Sequence, residues 1–196
     1  MYINLVKPFF DFCVAFFAII ILSPLLIVIS ILILADSKGP VFFRQMRLGK
    51  NGKEFCMFKF RSMITDQSNI SYTTKLYEND RRITNVGRFL RKTSLDELPQ
   101  LINILKGEMS FIGPRPPLTY FPKKINEYSD FEAKRFLVKP GISGLSQIRC
   151  REIHDWEINI PIDVEYVQNI SLRLDAKLFA SSLMAFFRTD NVYRKQ

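Results

Sequence analysis

The sequence is poor in the residues that several common classes of protein require. It has three cysteines, one histidine and no Cys-x-x-Cys pair, which argues against a zinc site and against a disulfide framework. It has no glycine-rich loop of the nucleotide-binding types and no Gly-x-Ser-x-Gly of hydrolases. The unpaired thiols fit a reducing compartment, and a hydrophobic content of 47% excludes a disordered chain.

Charge is nearly absent from the first part of the chain. Residues 1–35 contain only Lys7 and Asp11, so the whole net charge of +9 lies in residues 36–196. This second part is typical of a domain that faces water. Its positive charge favours anionic partners, such as lipid headgroups, phosphorylated substrates or nucleic acid.

A long apolar run extends from Phe12 to Leu34 and contains only three residues that are not hydrophobic, Ser23, Pro24 and Ser30. A straight helix over this run would measure about 34 Å, enough to cross a bilayer core of roughly 30 Å. A signal peptide is disfavoured because the run is too long and no small-x-small cleavage site follows it.

Ser23-Pro24 lies at the middle of this run and leaves two arrangements open. Pro24 cannot donate an N–H to the carbonyl of Ile20, so a spanning helix would kink there, with the Ser23 hydroxyl as a substitute donor. Alternatively, residues 1–35 form a re-entrant helix-break-helix that turns back at Ser23-Pro24. The residues alone favour the spanning helix, since membrane helices tolerate proline. The lysines and arginines after residue 37 place the main domain in the cytosol in both cases.

The rest of the chain predicts an α/β domain that is mainly helical with a small β-hairpin. The predicted strands are Val41–Met46 and Glu54–Phe60, joined by a turn at Asn51-Gly52. The predicted helices cover residues 83–92, 95–105 and 171–187, and a polar loop covers residues 64–80. The last helix either packs in the core or lies among lipid headgroups with its basic end on anionic lipid.

Two adjacent acids, Asp96 and Glu97, form the main candidate site. They follow Ser94, and Ser-x-x-Glu is a common capping box at a helix start, so a purely structural role is one interpretation. The other interpretation is chemical, because a carboxylate pair among cations suits a divalent metal and a phosphorylated substrate, and Asp can form an acyl phosphate. The cations in the surrounding segments are Arg88, Arg91, Lys92, Arg115, Lys139, Arg149 and Arg151.

Several blocks of sequence, taken together and in order, resemble one family. They are FKFRSM at 58–63, RRIT at 81–84, GRFLRKTS at 87–94, LDELPQ at 95–100, SFIGPRP at 110–116, KPGISG at 139–144 and the segment 163–175. They are similar to the bacterial sugar transferases, which are monotopic phosphoglycosyl transferases. The resemblance extends from about Ser23-Pro24 to the C-terminus, and the length of the chain is that of the small form, without the additional transmembrane helices of larger members.

The resemblance implies an activity. Such enzymes transfer a sugar 1-phosphate from a UDP-sugar to undecaprenyl phosphate and release UMP, the first membrane step of bacterial glycan or glycoprotein assembly. It implies that Asp96 is the nucleophile of a covalent aspartyl-phosphosugar intermediate, and that Glu97 acts as a base or binds Mg²⁺ with Asp96. The substrate-binding residues that it implies are Lys59, Arg88, Arg91, Arg115, Pro116 and Asp163.

The sequence also departs from the family pattern in two places. Many relatives have Glu where Pro117 stands, and many have Asn-Gly-Arg near Arg149 and Arg151, which we add as candidate substrate-binding residues. Both departures bear on the choice of nucleotide or sugar.

The resemblance also implies a location and a domain order. It favours the re-entrant hairpin over residues 1–35, a cytosolic catalytic domain over 36–170 and an amphipathic interface segment over 171–196. The expected location is the cytoplasmic face of the bacterial inner membrane, with membrane lipid and downstream glycosyltransferases as partners and no nucleic acid. Two hypotheses of a non-enzymatic function stay open. One is a membrane-anchored basic module that binds anionic lipid or nucleic acid, and the other is a single-pass scaffold protein without catalytic activity.

Overall fold

The structure is a computed structural model that describes residues 1–64, 80, 82–150 and 155–187, with side chains described up to residue 184. Most of the predicted loop over 64–80 and the candidate Arg151 lie outside these residues. Over the described residues the chain is mainly helical with two small sheets. The predicted helical character and hairpin are therefore confirmed, and the second sheet is an addition to them.

The helices and strands follow one another along the chain. The helices are α1 (Lys7–Asp36), α2 (Asn85–Lys92), α3 (Gln100–Leu105), α4 (Asp130–Ala133), α5 (Leu145–Arg149), α6 (Trp156–Gln168) and α7 (Leu172–Phe187). The strands are β1 (Phe42–Leu48), β2 (Glu54–Phe60), β3 (Ser110–Ile112) and β4 (Gly141–Ser143). A 3₁₀ turn, Leu95–Glu97, precedes α3 and carries the two candidate acids.

β1 and β2 form the predicted antiparallel hairpin. Its turn has φ of 57° at Asn51 and 71° at Gly52, the left-handed pair that Asn-Gly adopts with little strain. The register pairs Phe43 with Lys59 and Arg47 with Phe55. Because alternate residues of a strand share a face, Lys59 and Arg47 lie on the same face of the hairpin.

A buried asparagine joins α3 to β2. The Asn103 side chain, 0% exposed, accepts a hydrogen bond from the N–H of Phe58 at 3.0 Å and donates one to the carbonyl of Cys56 at 2.7 Å. The amide thereby satisfies backbone groups at the second edge of β2, which would otherwise need another strand. Phe55, Met57, Leu101, Ile104 and Met109 pack around this junction. The turn that precedes α3 is therefore held close to β2.

β3 and β4 pair in parallel and bring two proline-containing loops together. The N–H of Gly113 donates to the carbonyl of Ser143 at 2.9 Å, and the N–H of Gly141 donates to that of Pro114 at 3.0 Å. A Cβ on Gly113 would lie 2.5 Å from the carbonyl oxygen of Lys139, so only glycine permits this approach. Two of the family-like blocks, SFIGPRP and KPGISG, are thus neighbours in space.

The apolar run forms one long helix. α1 continues through Pro24, so the structure has no helix-break-helix in this part of the chain. The Ser23 hydroxyl donates to the carbonyl of Ile20 at 2.8 Å, which confirms the predicted substitute for the N–H that Pro24 lacks. Because the Ile20 carbonyl has a hydrogen-bond donor in Ser23, a continuous helix through Pro24 leaves this carbonyl satisfied. By length and composition, the helical stretch Tyr2–Asp36 is able to cross a membrane.

Both ends of α1 are bonded to the same domain. Near its start, Lys7 pairs with Asp175 of α7 at 2.6 Å, and both side chains are less than 10% exposed. At its end, the Asp36 carboxylate accepts the N–H of Val86 at 2.9 Å, and the buried Arg61 guanidinium donates to the carbonyl of Ser37 at 2.6 Å. A cation at a helix C-terminus also complements the helix dipole.

One side of α1 packs on the domain and the other is uncovered. Ala15, Ile29 and Ile33 are buried against the β2, α2 and α3 cores. Large apolar side chains cover the uncovered side, among them Phe9, Phe10, Phe17, Ile21, Ile27, Ile31 and Leu34. An apolar surface of this length indicates contact with lipid.

The C-terminal helix α7 belongs to the core along one face. Leu178, 4% exposed, packs with Ile112 and Tyr166, and Phe179 contacts the ring of Phe111 edge-on. Leu172, Leu183 and Met184 are exposed. The prediction that this helix packs in the core is therefore confirmed for one of its faces. A second apolar face of the helix is exposed.

We expect Asn103→Ala to lower the free energy of unfolding by about 2–4 kcal/mol, because two buried backbone groups of β2 lose their partner. Chemical denaturation of the detergent-solubilised protein measures this. Asn85→Ala, at the exposed start of α2, is the matched control and should stay within about 0.5 kcal/mol of the wild type. Equal losses in the two variants would contradict the role assigned to Asn103.

Candidate active site

A cleft lies between the β1–β2 hairpin, the Leu95–Glu97 turn and the proline-containing loop at 113–117. It contains about 210 Å³ of open space. Its lining residues are Arg47, Met57, Lys59, Glu97, Gln100, Arg115 and Pro116. The structure therefore brings together four of the predicted site residues, Lys59, Glu97, Arg115 and Pro116.

The capping box that Ser94 and Glu97 predicted is not formed. Ser94 has φ of 55°, in the left-handed region, and its side chain makes no capping hydrogen bond to the described residues. Glu97 instead accepts a hydrogen bond from the ammonium of Lys59 at 2.6 Å. The structural interpretation of the acid pair is therefore wrong for Glu97, because its carboxylate is directed toward β2 and the cleft.

The two acids have different electrostatic environments. Asp96 is 8% exposed, and this burial raises the pKa of its carboxyl to about 6, with Lys59 opposing the shift and Glu97 adding to it. Burial also opposes ionisation of Glu97, but the charges of Lys59 and Arg115 outweigh it, so the pKa of Glu97 lies below its usual value. At neutral pH both groups are ionised, and Asp96 is the more basic of the two.

The loop from Pro114 to Pro117 is held through its carbonyl groups. Three of its four residues are prolines, which have no N–H to donate. The four carbonyls accept hydrogen bonds in turn from Gly141 N at 3.0 Å, Arg135 Nη2 at 2.7 Å, Arg47 Nη1 at 3.0 Å and Leu48 N at 3.0 Å. Arg115 is thereby placed at the cleft by a loop whose backbone is bonded at every residue.

Asp163 lies behind this loop and not among the residues that line the cleft. Its carboxylate, 1% exposed, accepts hydrogen bonds from Arg135 at 2.6 Å and from the Ser146 hydroxyl at 2.7 Å. Burial raises the pKa of Asp163, and the charge of Arg135 opposes this rise. Because Arg135 holds the carbonyl of Arg115, these contacts support a positioning role for Asp163 rather than the predicted contact with substrate.

The remaining predicted cations occupy three different surroundings. Arg91 is half-buried, its charge acts on Asp96, and its Nη1 has no hydrogen-bond partner among the described residues. Arg88 is exposed on α2. Arg149 forms a bidentate pair with Glu165 at 2.6 and 2.8 Å, and both side chains are about half exposed. The charge of Arg91 therefore acts on one member of the acid pair.

Arg47 is the charged residue of the cleft that sequence reasoning missed, and Met57 and Gln100 are the uncharged ones. Burial first, and then repulsion from Arg115, lower the pKa of its guanidinium to about 10, while Glu97 opposes the shift. A signal for Arg47 was available, because a turn at Asn51-Gly52 pairs residue 47 with 55 and residue 43 with 59. This register places Arg47 on the face of Lys59. For Arg135, which is distant in sequence from the loop that it supports, we find no such signal.

The chain matches a family model described as "Bacterial sugar transferase" over residues 2–189. It is 40% identical over 186 residues to a UDP-glucose:undecaprenyl-phosphate glucose-1-phosphate transferase of Xanthomonas campestris pv. campestris, covering 90% of this chain and 38% of the relative. It is 39% identical over 175 residues to the uncharacterized sugar transferase EpsL of Bacillus subtilis (strain 168), covering 89% of this chain and 83% of the relative.

A third relative carries a different sugar in its name. The chain is 39% identical over 175 residues to a UDP-N-acetylgalactosamine-undecaprenyl-phosphate N-acetylgalactosaminephosphotransferase of Aeromonas hydrophila, covering 87% of this chain and 41% of the relative. The chain thus spans about two fifths of the length of the Xanthomonas and Aeromonas proteins. Since the family match includes nearly every described residue, the protein belongs to the bacterial sugar transferase family.

Proposed function

We propose that this protein is a phosphoglycosyl transferase that moves a sugar 1-phosphate from a UDP-sugar to undecaprenyl phosphate and releases UMP. The observation that carries the proposal is the cleft lined by the Lys59–Glu97 pair and two further cations, with the buried carboxylate of Asp96 on the residue before Glu97. The relatives whose names specify undecaprenyl-phosphate transfer support it.

The charges around the cleft suit a phosphorylated substrate. Of the described residues that line it, three are cations (Arg47, Lys59 and Arg115) and one is a carboxylate, so two positive charges are in excess. The cleft is too small to enclose a whole small molecule. The cleft therefore suits the phosphates of a substrate, with its base and sugar beyond the cleft.

The proposed reaction proceeds in two in-line displacements. In the first, a carboxylate oxygen of Asp96 attacks the phosphorus that bears the sugar, the bond to the bridging oxygen breaks, and UMP leaves with that electron pair. In the second, an oxygen of the lipid phosphate attacks the same phosphorus and Asp96 leaves as a carboxylate. Covalent catalysis of this kind divides one difficult transfer into two easier ones. The pKa of Asp96, about 6, leaves it ionised at neutral pH and more basic than an exposed aspartate.

Lys59 and Glu97 would orient the reacting groups. The charge of Lys59 acts on both acids and favours the ionised form of Asp96 and of Glu97. Its hydrogen bond at 2.6 Å holds Glu97 ionised, which leaves the second Glu97 oxygen for a proton or a metal ion.

The acid pair also fits Mg²⁺. In proteins this ion is commonly held by one or two carboxylates together with substrate phosphates, and Asp96 and Glu97 would supply those carboxylates. No group of three or more His, Cys, Asp or Glu side chains that could hold a metal ion occurs among the described residues, so substrate phosphates would have to supply further ligands. When bound, Mg²⁺ would neutralise phosphate charge.

We further propose that α1 lies along the cytoplasmic face of the bacterial inner membrane as one unbroken helix, with both of its ends on that side. A spanning helix would carry Lys7 to the opposite side from Asp36, but both residues are bonded to the same domain. The uncovered apolar side of α1 would then lie in the lipid and hold the cleft near the headgroups. The phosphate of the polyprenyl acceptor is at that depth.

The test of the proposed function is UMP release from a panel of UDP-sugars by the full chain, with a polyprenyl phosphate and Mg²⁺ in detergent. We expect at least one UDP-sugar to yield UMP and a diphosphate-linked lipid. A basic module that only binds anionic lipid would release no UMP, and its lipid binding would persist in EDTA.

We expect Asp96→Asn to abolish turnover and Glu97→Gln to lower it by about 100-fold or more, the range seen when a group that stabilises charge is removed. UMP release measures both. Glu54→Gln, an exposed acid on β2 outside the cleft, is the control and should retain wild-type turnover. Near wild-type release by either cleft variant would remove that acid from the mechanism.

We also expect Asp96→Asn to be more stable than the wild type at pH 7.5. The pKa of Asp96 is about 6 when folded and 3.8 when unfolded, so the folded state binds more protons between these values. The wild type should therefore lose up to roughly 2–3 kcal/mol as the pH rises from 4 to 7, a loss that the Asn variant escapes. Denaturation in EDTA at both pH values measures the difference, which should nearly vanish at pH 4. A difference independent of pH would contradict the environment assigned to Asp96.

The topology is tested by placing a cysteine at Asn4 in a variant whose three native cysteines are serine. If both ends of α1 face the cytosol, an impermeant maleimide should label this cysteine only after spheroplasts are permeabilised. A cysteine at Glu54 is the cytosolic control and should behave in the same way. Labelling of residue 4 in intact spheroplasts would show that α1 spans the membrane.

A further inference from the structure

Arg47 is held at the wall of the cleft by two hydrogen bonds. Its Nη1 donates to the carbonyl of Pro116 at 3.0 Å, and its Nη2 donates to the amide oxygen of Gln45 at 2.6 Å. Both partners are neutral, so neither compensates the charge of the guanidinium. The Nε of Arg47 is buried and has no hydrogen-bond partner among the residues that the structure describes.

A buried donor and an incompletely compensated charge both cost free energy. A polar group removed from water without a hydrogen bond is unfavourable, and a buried charge more so unless it is paired. Arg115, which carries the same charge, acts on Arg47, and Glu97 is the acid that opposes it. Glu97 is already engaged by Lys59 at 2.6 Å. Among the described residues Arg47 thus has no acid that is not already engaged by another cation, and an anion supplied by a substrate would complete its surroundings.

The position of Arg47 relative to the two acids indicates which phosphate it would meet. The neighbouring charges that act on Asp96 are those of Lys59, Glu97 and Arg91. The cations that act on Glu97 are Lys59, Arg115 and Arg47. The geometry of the cleft agrees, because Arg47 and Arg115 line it together with Glu97, whereas Asp96 is not among its lining residues. We therefore assign Arg47 and Arg115 to the Glu97 side of the site.

We propose that Arg47, together with Arg115, binds the phosphate of the leaving nucleotide. The inference rests on the proposed function and adds a substrate-contacting residue to it. The sugar-bearing phosphorus would lie at Asp96, and the second phosphate of the donor would extend toward Arg47. When the bridging bond breaks, the departing oxygen gains negative charge. A guanidinium already held by Pro116 and Gln45 stabilises that charge without first becoming ordered.

An arginine suits this role better than a lysine. The guanidinium has five N–H donors in a planar fork, so it can bind the Pro116 carbonyl, Gln45 and two phosphate oxygens at once. A lysine ammonium has three donors and acts as a point charge. The hydrogen bond from Arg47 to the Pro116 carbonyl also connects phosphate binding to the loop that carries Arg115.

The test compares inhibition by the product UMP in Arg47→Gln, Arg47→Lys and the wild type, using the full chain in detergent. We expect the inhibition constant for UMP and the KM for the UDP-sugar to rise about 10- to 100-fold in Arg47→Gln, the loss of a hydrogen-bonded charge. Arg47→Lys keeps a positive charge, so its inhibition constant and its KM should lie between those of the wild type and those of Arg47→Gln. Arg44→Gln is the matched control, because Arg44 is exposed on the opposite face of β1, over the ring of Phe58.

A purely structural role for Arg47 gives a different pattern. Both Arg47 variants would then lose thermal stability and turnover together, and the inhibition constant for UMP would equal that of the wild type, which overturns the inference. If Arg47→Gln does not fold, Arg47→Lys decides. A rise of about threefold or more in its UMP inhibition constant supports phosphate contact, and an unchanged constant overturns it.

The polyprenyl phosphate is the other source of a phosphate at this site. UMP release in a single turnover without lipid acceptor reports on the nucleotide alone, and Arg47→Gln should slow it. If only the KM for the lipid rises, Arg47 binds the acceptor phosphate and the inference is wrong. Failure of the proposed function would be distinct, because the wild type itself would then release no UMP from any UDP-sugar.

Discussion

The ion pair between Lys59 and Glu97 joins two elements that line the cleft, the β1–β2 hairpin and the Leu95–Glu97 turn. Its side chains are 18% and 23% exposed, so each charge is largely removed from water and would be costly without the other. Because Glu97 is bonded to β2, it is not available to cap a helix at Ser94, and the chain there forms a 3₁₀ turn. Asp96, the preceding residue of that turn, is consequently buried beside the same lysine.

The arrangement depends on hydrogen bonds that a proline-containing loop cannot make for itself. From Pro114 to Pro117 the backbone is nearly without N–H donors, so its position is decided by what its carbonyls accept. Two of the four donors are arginine side chains, Arg47 from β1 and Arg135 from the segment before β4. Asp163 takes part indirectly, through its ion pair with Arg135. A loop secured in this way presents Arg115 to the cleft with little backbone freedom left to lose on binding.

The apolar helix and the cleft are coupled by packing. β2 contributes Phe60 to the contact with Ile33 of α1, and the residue before Phe60 on β2 is Lys59. α3, which follows the acid pair, packs through Leu101 and Ile104 against Ala15 on the same helix. If the uncovered side of α1 lies in a membrane, this packing therefore also determines the distance of the cleft from the membrane surface. This is consistent with a reaction between a lipid phosphate and a substrate that arrives from water.

The sequence by itself determined the features that depend on near neighbours in the chain. The apolar run, the hairpin with its Asn-Gly turn, the helix that ends at Leu105 and the identity of Asp96 and Glu97 as candidates all follow from local pattern and from the family-like blocks. The Ser23 hydroxyl as partner of the Ile20 carbonyl was also accessible, because it lies within one helical turn.

What only the tertiary structure decided involves partners that are distant in sequence. Local pattern predicted a Ser94 cap for Glu97, but Lys59, 38 positions away, binds it instead, since an opposite charge outcompetes a neutral backbone donor. Three other contacts also join partners that are distant in sequence and were not predicted. They are the ion pair of Arg135 with Asp163, the parallel pairing of β3 with β4, and the ion pair of Lys7 with Asp175. Periodicity shows which residues share a face, but only the packed chain decides what that face meets.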